Sequence, residues 1–231
     1  MHIHKPKPLH GVREFLSEIS VIVVGVLIAL GLEQTVESLH WTHKVRQAEV
    51  RLRADLEFDI TFAAQFAVLE PCAEAYLDRM QTDLIKHDAA EIMRLYEFGP
   101  PFIRGAWKSV AWESAVASQI GDRIDNDRFQ AYSEAFRGAN LLRDFQVRLR
   151  DDYASAMTGR FALPPDAKTV ADQLAAVERL RLTILDARAI AANDLITPGK
   201  AFFGIAPEAK FVLELREKAA ACLAIIGQPQ K

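Results

Sequence analysis

Fourteen residues near the start, Ile19 to Leu32 of "EISVIVVGVLIALGLEQTVE", constrain this chain more than any others, because only Ser20 interrupts their apolar character. Counted from Phe15, the run is eighteen residues, roughly 27 Å of helix at 1.5 Å per residue. That length suits the hydrocarbon core of a bilayer. Glu14 and Glu18 lie at one end, Glu33 and Glu37 at the other. At the edges carboxylates reach headgroups or basic neighbours, whereas at the centre each costs several kcal/mol. Val21 to Ala29 show no polar stripe, which excludes an amphipathic surface helix. Two other accounts compete with a span: a core helix and a cleaved signal peptide. Ala29-Leu30-Gly31 is a poor small-x-small cleavage site, and Leu32-Glu33-Gln34 runs on into helix without a turn. The segment therefore reads as an uncleaved anchor spanning residues 15–36.

Orientation rests on charge. Lys5, Lys7 and Arg13 precede the span; Lys44, Arg46, Arg51 and Arg53 follow it, diluted by Glu49 and Asp55. The positive-inside rule discriminates little between these counts. The short basic tail of residues 1–14 favours a cytoplasmic N-terminus, with residues 37–231 as a periplasmic domain at the bacterial inner membrane. The basic residues beyond the span form either a solvated helix face or a contact with anionic headgroups.

The rest of the chain reads as all-α. Alanine, leucine, arginine and glutamate dominate, and β-branched runs outside the span are scarce. Trp41, Val45, Ala48, Leu52, Leu56, Ala63 and Phe66 recur at helical spacing, and no Gly or Pro interrupts Leu32 to Pro71. One helix from about Val12 to Leu69 would run roughly 85 Å. Pro71 opens a second, Cys72 to Phe98, kinked near His87-Asp88, and "FGPPFIRG" ends it. Further helices are expected at Lys108 to Ile120, at Asn126 (as N-cap) to Thr158, at Asp166 to Ile196, and from Pro207 to about Ile226. "TPGKAFFGIAP" reads as a loop. The expected architecture is a transmembrane helix that continues into a long helix, followed by an antiparallel helical bundle. Phe129, Phe136, Phe145, Phe211 and Leu215 are candidate core residues, with Leu174, Val177, Leu180, Ile184 and Leu185 as one stripe.

Three stretches, "REFLSEISVIVVGVLIALGLEQTVE", "EPCAEAYLDRM" and "SVAWESAVASQIGDRI", resemble a family of proteobacterial inner-membrane proteins. These have one N-terminal span of the type E-I-x-V-I-V-x-G-V-L-I-A-L and a helical extracytoplasmic domain. The resemblance touches about a quarter of the chain. It implies topology and no chemistry.

Few residues suggest a site. Cys72 and Cys222 are the only cysteines; they are either buried thiols or, in an oxidising compartment, a bridge. Glu37-Ser38-Leu39-His40 spells the Glu-x-x-His of di-iron bundles, but no second copy exists, so Glu37, His40 and His43 read as interfacial residues beside Trp41. His2, His4 and His10 belong to the Pro-broken tail. Trp107 and Trp112 read as core aromatics; with Arg104, Lys108 and Glu113 they also mark the surface where a binding cleft is expected. Gly25 and Ala29 have the small-x-x-x-small spacing that lets two spans pack as a homodimer. There is no G-x-S-x-G, Walker loop, dinucleotide fingerprint or H-E-x-x-H, and His87 is the one histidine beyond residue 43. Asp125-Asp127 and Asp151-Asp152 read as caps and solvated acids. With a net charge of -3, no positive field points to nucleic acid. The expectation is a non-enzymatic protein without cofactor or metal, partnered by the lipid bilayer and by a membrane protein or its own copy. It would serve as a scaffold or accessory subunit of a cell-envelope assembly. The alternative is a periplasmic ligand-sensing bundle that signals through a partner.

Overall fold

The computed structural model describes residues 11–101, 107–157 and 166–227. Among them every regular element is helical. The basic tail expected at 1–14, with His2, His4 and His10, lies almost wholly outside the described residues, and so does Arg104. The chain divides into two compact units, Met1–Gln47 and Ala48–Lys231.

Helix α1 (Val12–Val68) begins in the first unit. There it buries no side chain among the described residues: Val21 is 71 % exposed and Leu27 62 %. A core helix would bury one stripe at least. α1 is long and apolar enough to cross a membrane. Its hydroxyls turn inward on the helix: Ser20 Oγ donates to the Leu16 carbonyl at 2.7 Å and Thr35 Oγ1 to Gly31 at 2.7 Å. Each such bond hides a polar group that hydrocarbon would not solvate.

In the second unit the pattern on α1 reverses. Leu52, Leu56, Ile60 and Ala63 are fully buried, and Phe66 nearly so. Pro71 lacks the N–H that would continue the ladder and sits in the first turn of α2 (Glu70–Lys86). The second helix expected as one kinked rod is two. His87 takes a left-handed conformation (φ 54°), and Asp88 caps α3 (Ala89–Phe98) by accepting the Glu91 N–H at 3.2 Å. Arg79 bonds Asp83 at 2.8 Å and Glu91 at 2.9 Å, and so ties α2 to α3.

Helix α4 (Val110–Ala117) is shorter than expected, because Ser109 is its N-cap and Lys108 precedes it. A 3-10 turn, Gly121–Arg123, leads to α5 (Asn126–Ala156). Its cap is Asp125, not Asn126: the Asp125 carboxylate accepts the Arg128 N–H at 3.2 Å. α5 packs on α6 (Ala167–Ile190), which Asp166 caps through Thr169 N–H at 2.6 Å. The buried stripe of α6 is Val170, Gln173, Ala176, Val177, Leu180, Ile184 and Ala187; Leu185 falls off it and is exposed. Phe136, Phe145 and Leu215 are core, while Phe129 and Phe211 are half-buried.

The segment read as a loop at "TPGKAFFGIAP" is helical for its first seven residues. A π-helical stretch, Ala191–Ile196, carries α6 directly into α7 (Thr197–Phe203). Pro198 explains the register change. It has no N–H for the Asp194 carbonyl four residues back, and its ring would strike that oxygen; a wider turn relieves both. The displaced carbonyl packs against Gly138 of α5, where a Cβ would lie 2.9 Å from the Asp194 oxygen. Gly138 thus makes room for the helix that the proline alone would have ended.

Helix α8 (Ala209–Ile226) packs on α2 and buries little: Leu215, Ala219 and Cys222. A disulfide joins Cys222 to Cys72 at the start of α2, with Cα atoms 5.9 Å apart. α2 is zipped to α6 by ion pairs one turn apart: Glu70 to Arg188, Glu74 to Arg181, and Asp78 to Arg181 at 2.8 Å.

Two consequences are measurable. Replacing Gly138 by Ala drives a methyl into the Asp194 backbone and lowers stability by about 1–3 kcal/mol, read as a fall in the thermal midpoint. Replacing both Cys72 and Cys222 by Ser releases a loop of 150 residues. It costs up to about 5 kcal/mol on the chain-entropy argument, seen as a midpoint below that of the oxidised wild type and insensitive to reductant.

Candidate functional site

α1 carries two acids at the edge of its buried stripe, Asp59 buried and Asp55 half-buried. Asp55 and Asp59 are one turn apart and face the segment that leads into α4. Asp59 Oδ1 accepts the Lys108 N–H at 2.9 Å, and Asp55 Oδ2 accepts the Ala111 N–H at 3.2 Å. One free amide at the start of α4, that of Ala111, is therefore met from α1 rather than by α4's own cap; the Ser109 hydroxyl donates to Glu113 at 2.6 Å instead. Asp59 is fully buried, and its Oδ2 has no hydrogen-bond partner.

Burial raises the Asp59 carboxyl to about 7, with the Lys108 N–H pulling it down and the charge of Asp55 adding to the rise. A shift of that size is roughly 4 kcal/mol of differential interaction between the two protonation states.

Aromatic rings surround this contact. Trp107 meets Phe62 edge-on at 5.2 Å, stacks on Phe66 at 6.4 Å, and donates Nε1–H to Gln146 of α5 at 3.0 Å. The Lys108 ammonium lies 4.1 Å from the centre of the Phe58 ring. Trp112 packs against Phe129 and Phe136 of α5. Trp107 and Trp112 are thus both packing residues with half-buried rings. Glu113 is turned onto Ser109, and Lys108 onto Phe58.

A cleft lies among the described residues of this unit. About 460 Å³ opens between α1 and the extended segment after α7, lined by Arg53, Glu57, Phe58, Thr61, Gly204, Ile205, Ala206 and Glu208. Arg53 bonds Glu57 at 3.0 Å and the Phe203 carbonyl at 2.9 Å. Thr61 Oγ1 accepts the Glu208 N–H at 3.1 Å. Gly204 ends α7 in the left-handed region (φ 64°) and turns the chain into this wall. Phe58 belongs to the cleft and also carries Lys108, so the two features share one ring.

Sequence reasoning singled out Trp107, Lys108, Trp112 and Glu113 but missed Asp59 and the cleft. One signal was available: Asp59 interrupts an otherwise apolar stripe, four residues after Asp55. The cleft had none, since its second wall is 150 residues away along the chain.

The remaining expected residues are placed as follows. Glu37 accepts the Trp41 indole N–H at 3.3 Å, Lys44 lies over that ring at 4.9 Å, and His43 bonds Gln47 at 2.9 Å. Gly25 and Ala29 lie on the exposed part of α1, and nothing approaches a Cβ on Gly25 within 4 Å. Among the described residues no three His, Cys, Asp or Glu side chains are grouped to hold a metal ion. Compared with family models, curated proteins and solved structures, the chain matches none.

The Asp59 environment makes stability pH-dependent. Between about 3.8 and about 7 the folded chain keeps a proton that the unfolded chain gives up. Its contribution is therefore complete below 3.8 and is lost as pH rises through 7. Asp59→Asn removes this dependence. Its thermal midpoint relative to wild type is expected to rise by several degrees between pH 4.5 and pH 8 in a fluorescence melt, roughly 4–8 °C per kcal/mol for small domains and less for a domain of this size.

Proposed function

We propose that the protein is a single-pass, membrane-anchored helical bundle without catalytic activity, a scaffold or accessory subunit of a cell-envelope assembly. The observation that carries this reading is the first part of α1, an apolar helix with none of its spanning window buried. A helix apolar on all sides and packed against nothing needs a nonpolar solvent, and a bilayer supplies it. We place the span at residues 15–36 in the bacterial inner membrane, the N-terminus in the cytoplasm and the bundle in the periplasm. The Cys72–Cys222 disulfide supports that side, since oxidising compartments keep such bonds. The sequence resemblance to proteobacterial single-span proteins agrees with it.

The partners in this reading are the bilayer and either a second copy, through Gly25 and Ala29, or another membrane protein. The cleft at Arg53, Phe58 and Glu208 favours the alternative, a ligand-sensing bundle that signals through a partner.

The test is fractionation and gentle purification. The full chain is expected to resist carbonate extraction and to leave native membranes in mild detergent with a stoichiometric companion or as a dimer. A soluble chain, or a monomer with nothing attached, would overturn the reading. A reporter fused at Lys231 reads the orientation independently.

A further inference from the structure

We propose that Asp59, together with the Trp107–Ala117 segment it holds, is a pH-sensitive latch on the Phe58 wall of the cleft. Four observations converge on it. α4 is docked at its N-terminus by two carboxylates of one helix, through Lys108 N–H and Ala111 N–H. One of the two acids is fully buried with an oxygen left without a partner. The held segment places the Lys108 ammonium over Phe58, which lines the cleft. Trp107, in the same segment, is inserted against Phe62 and Phe66, so the segment moves only if those rings part.

The charged groups around Asp59 define the sign. On its own helix it faces Asp55, a like charge; from the segment before α4 it faces Lys108. Glu113 of α4 is occupied by Ser109, α5 contributes the neutral Gln146 through Trp107, and Glu57 pairs with Arg53 on the cleft side. Ionised, Asp59 is a second carboxylate one turn from Asp55, cut off from water with one oxygen unbonded. Protonated, it loses the repulsion and the desolvation penalty and still accepts the Lys108 N–H. The latch therefore holds at acidic pH and loosens at alkaline pH, freeing Lys108 from the Phe58 ring that also lines the cleft. This needs no assumption about compartment or partner.

Amide exchange on the full chain in detergent reads the latch directly. At pH 5.5 and 8.5, corrected for intrinsic exchange, peptides covering Lys108–Ala117 are expected to lose protection on the order of tenfold at the higher pH, relative to peptides from α5. Asp59→Asn should flatten that difference, and Asp55→Asn should keep it. Equal protection at both pH values in wild type, a persistent difference in Asp59→Asn, or its disappearance in Asp55→Asn alone would overturn the proposal. Should Asp59→Asn fail to fold, the wild-type chain carrying 5-fluorotryptophan decides. The Trp107 fluorine resonance, assigned through Trp107→Phe, must titrate between the two pH values of the exchange experiment; a flat resonance refutes the latch.

Discussion

The structure depends on the burial of one stripe of α1: Leu52, Leu56, Ile60, Ala63 and Phe66. Burying a Leu or Ile of this kind contributes about 1.5–3 kcal/mol, and the stripe gives the second unit the surface on which its core forms. Several features of that unit adjoin it. Ile60 sits where Gly199 of α7 leaves room: a Cβ there would lie 2.2 Å from Ile60 Cδ1. Asp55 and Asp59 ride on the edge of the same stripe, and Phe58 faces the cleft one residue away. The earlier part of the helix has no such stripe, and its apolar side chains are exposed.

A second constraint is polar. The bundle helices are held in register by charge pairs that name their partners: α2 to α6 through Arg181 and Arg188, α2 to α3 through Arg79. Most are partly exposed and individually worth little. Their value lies in specificity, since an acid every fourth residue on α2 meets arginines seven apart on α6 in one alignment only. Asp83 differs: it is buried, its carboxyl raised by burial and pulled back by Arg79, so that pair depends on keeping both partners.

How much of this was legible in the sequence depends on how local the cause is. The apolar run, the all-α class and the breaks at Pro71 and Gly99 follow from residues within one turn of the feature they produce. Caps were legible to within a residue: Asp125 and Asn126 are both good caps, and only the Arg128 amide decides between them. The helix through Pro198 was not legible, because it is permitted by Gly138, sixty residues earlier, and a proline–glycine pair in isolation reads as a turn. Leu185 was misassigned for a related reason. Its own spacing fits either of two neighbouring stripes, and the buried one leaves it out. The expected site was half legible: tryptophans and a lysine announce a contact, but the acid that accepts the Lys108 N–H lies on another helix.

The Cys72–Cys222 bond has a consequence for the molecule's integrity. It encloses α2 through most of α8 in one covalent ring, including both stretches that connect α3 to α4 and α5 to α6. A single cut by a protease anywhere in that ring opens it without dividing the polypeptide. The nicked pieces stay tethered to α1 as long as the bond is oxidised. Damage to a connection is thereby kept from shedding fragments, and the second strand break or the loss of the sulfur link becomes the event that dismantles the particle.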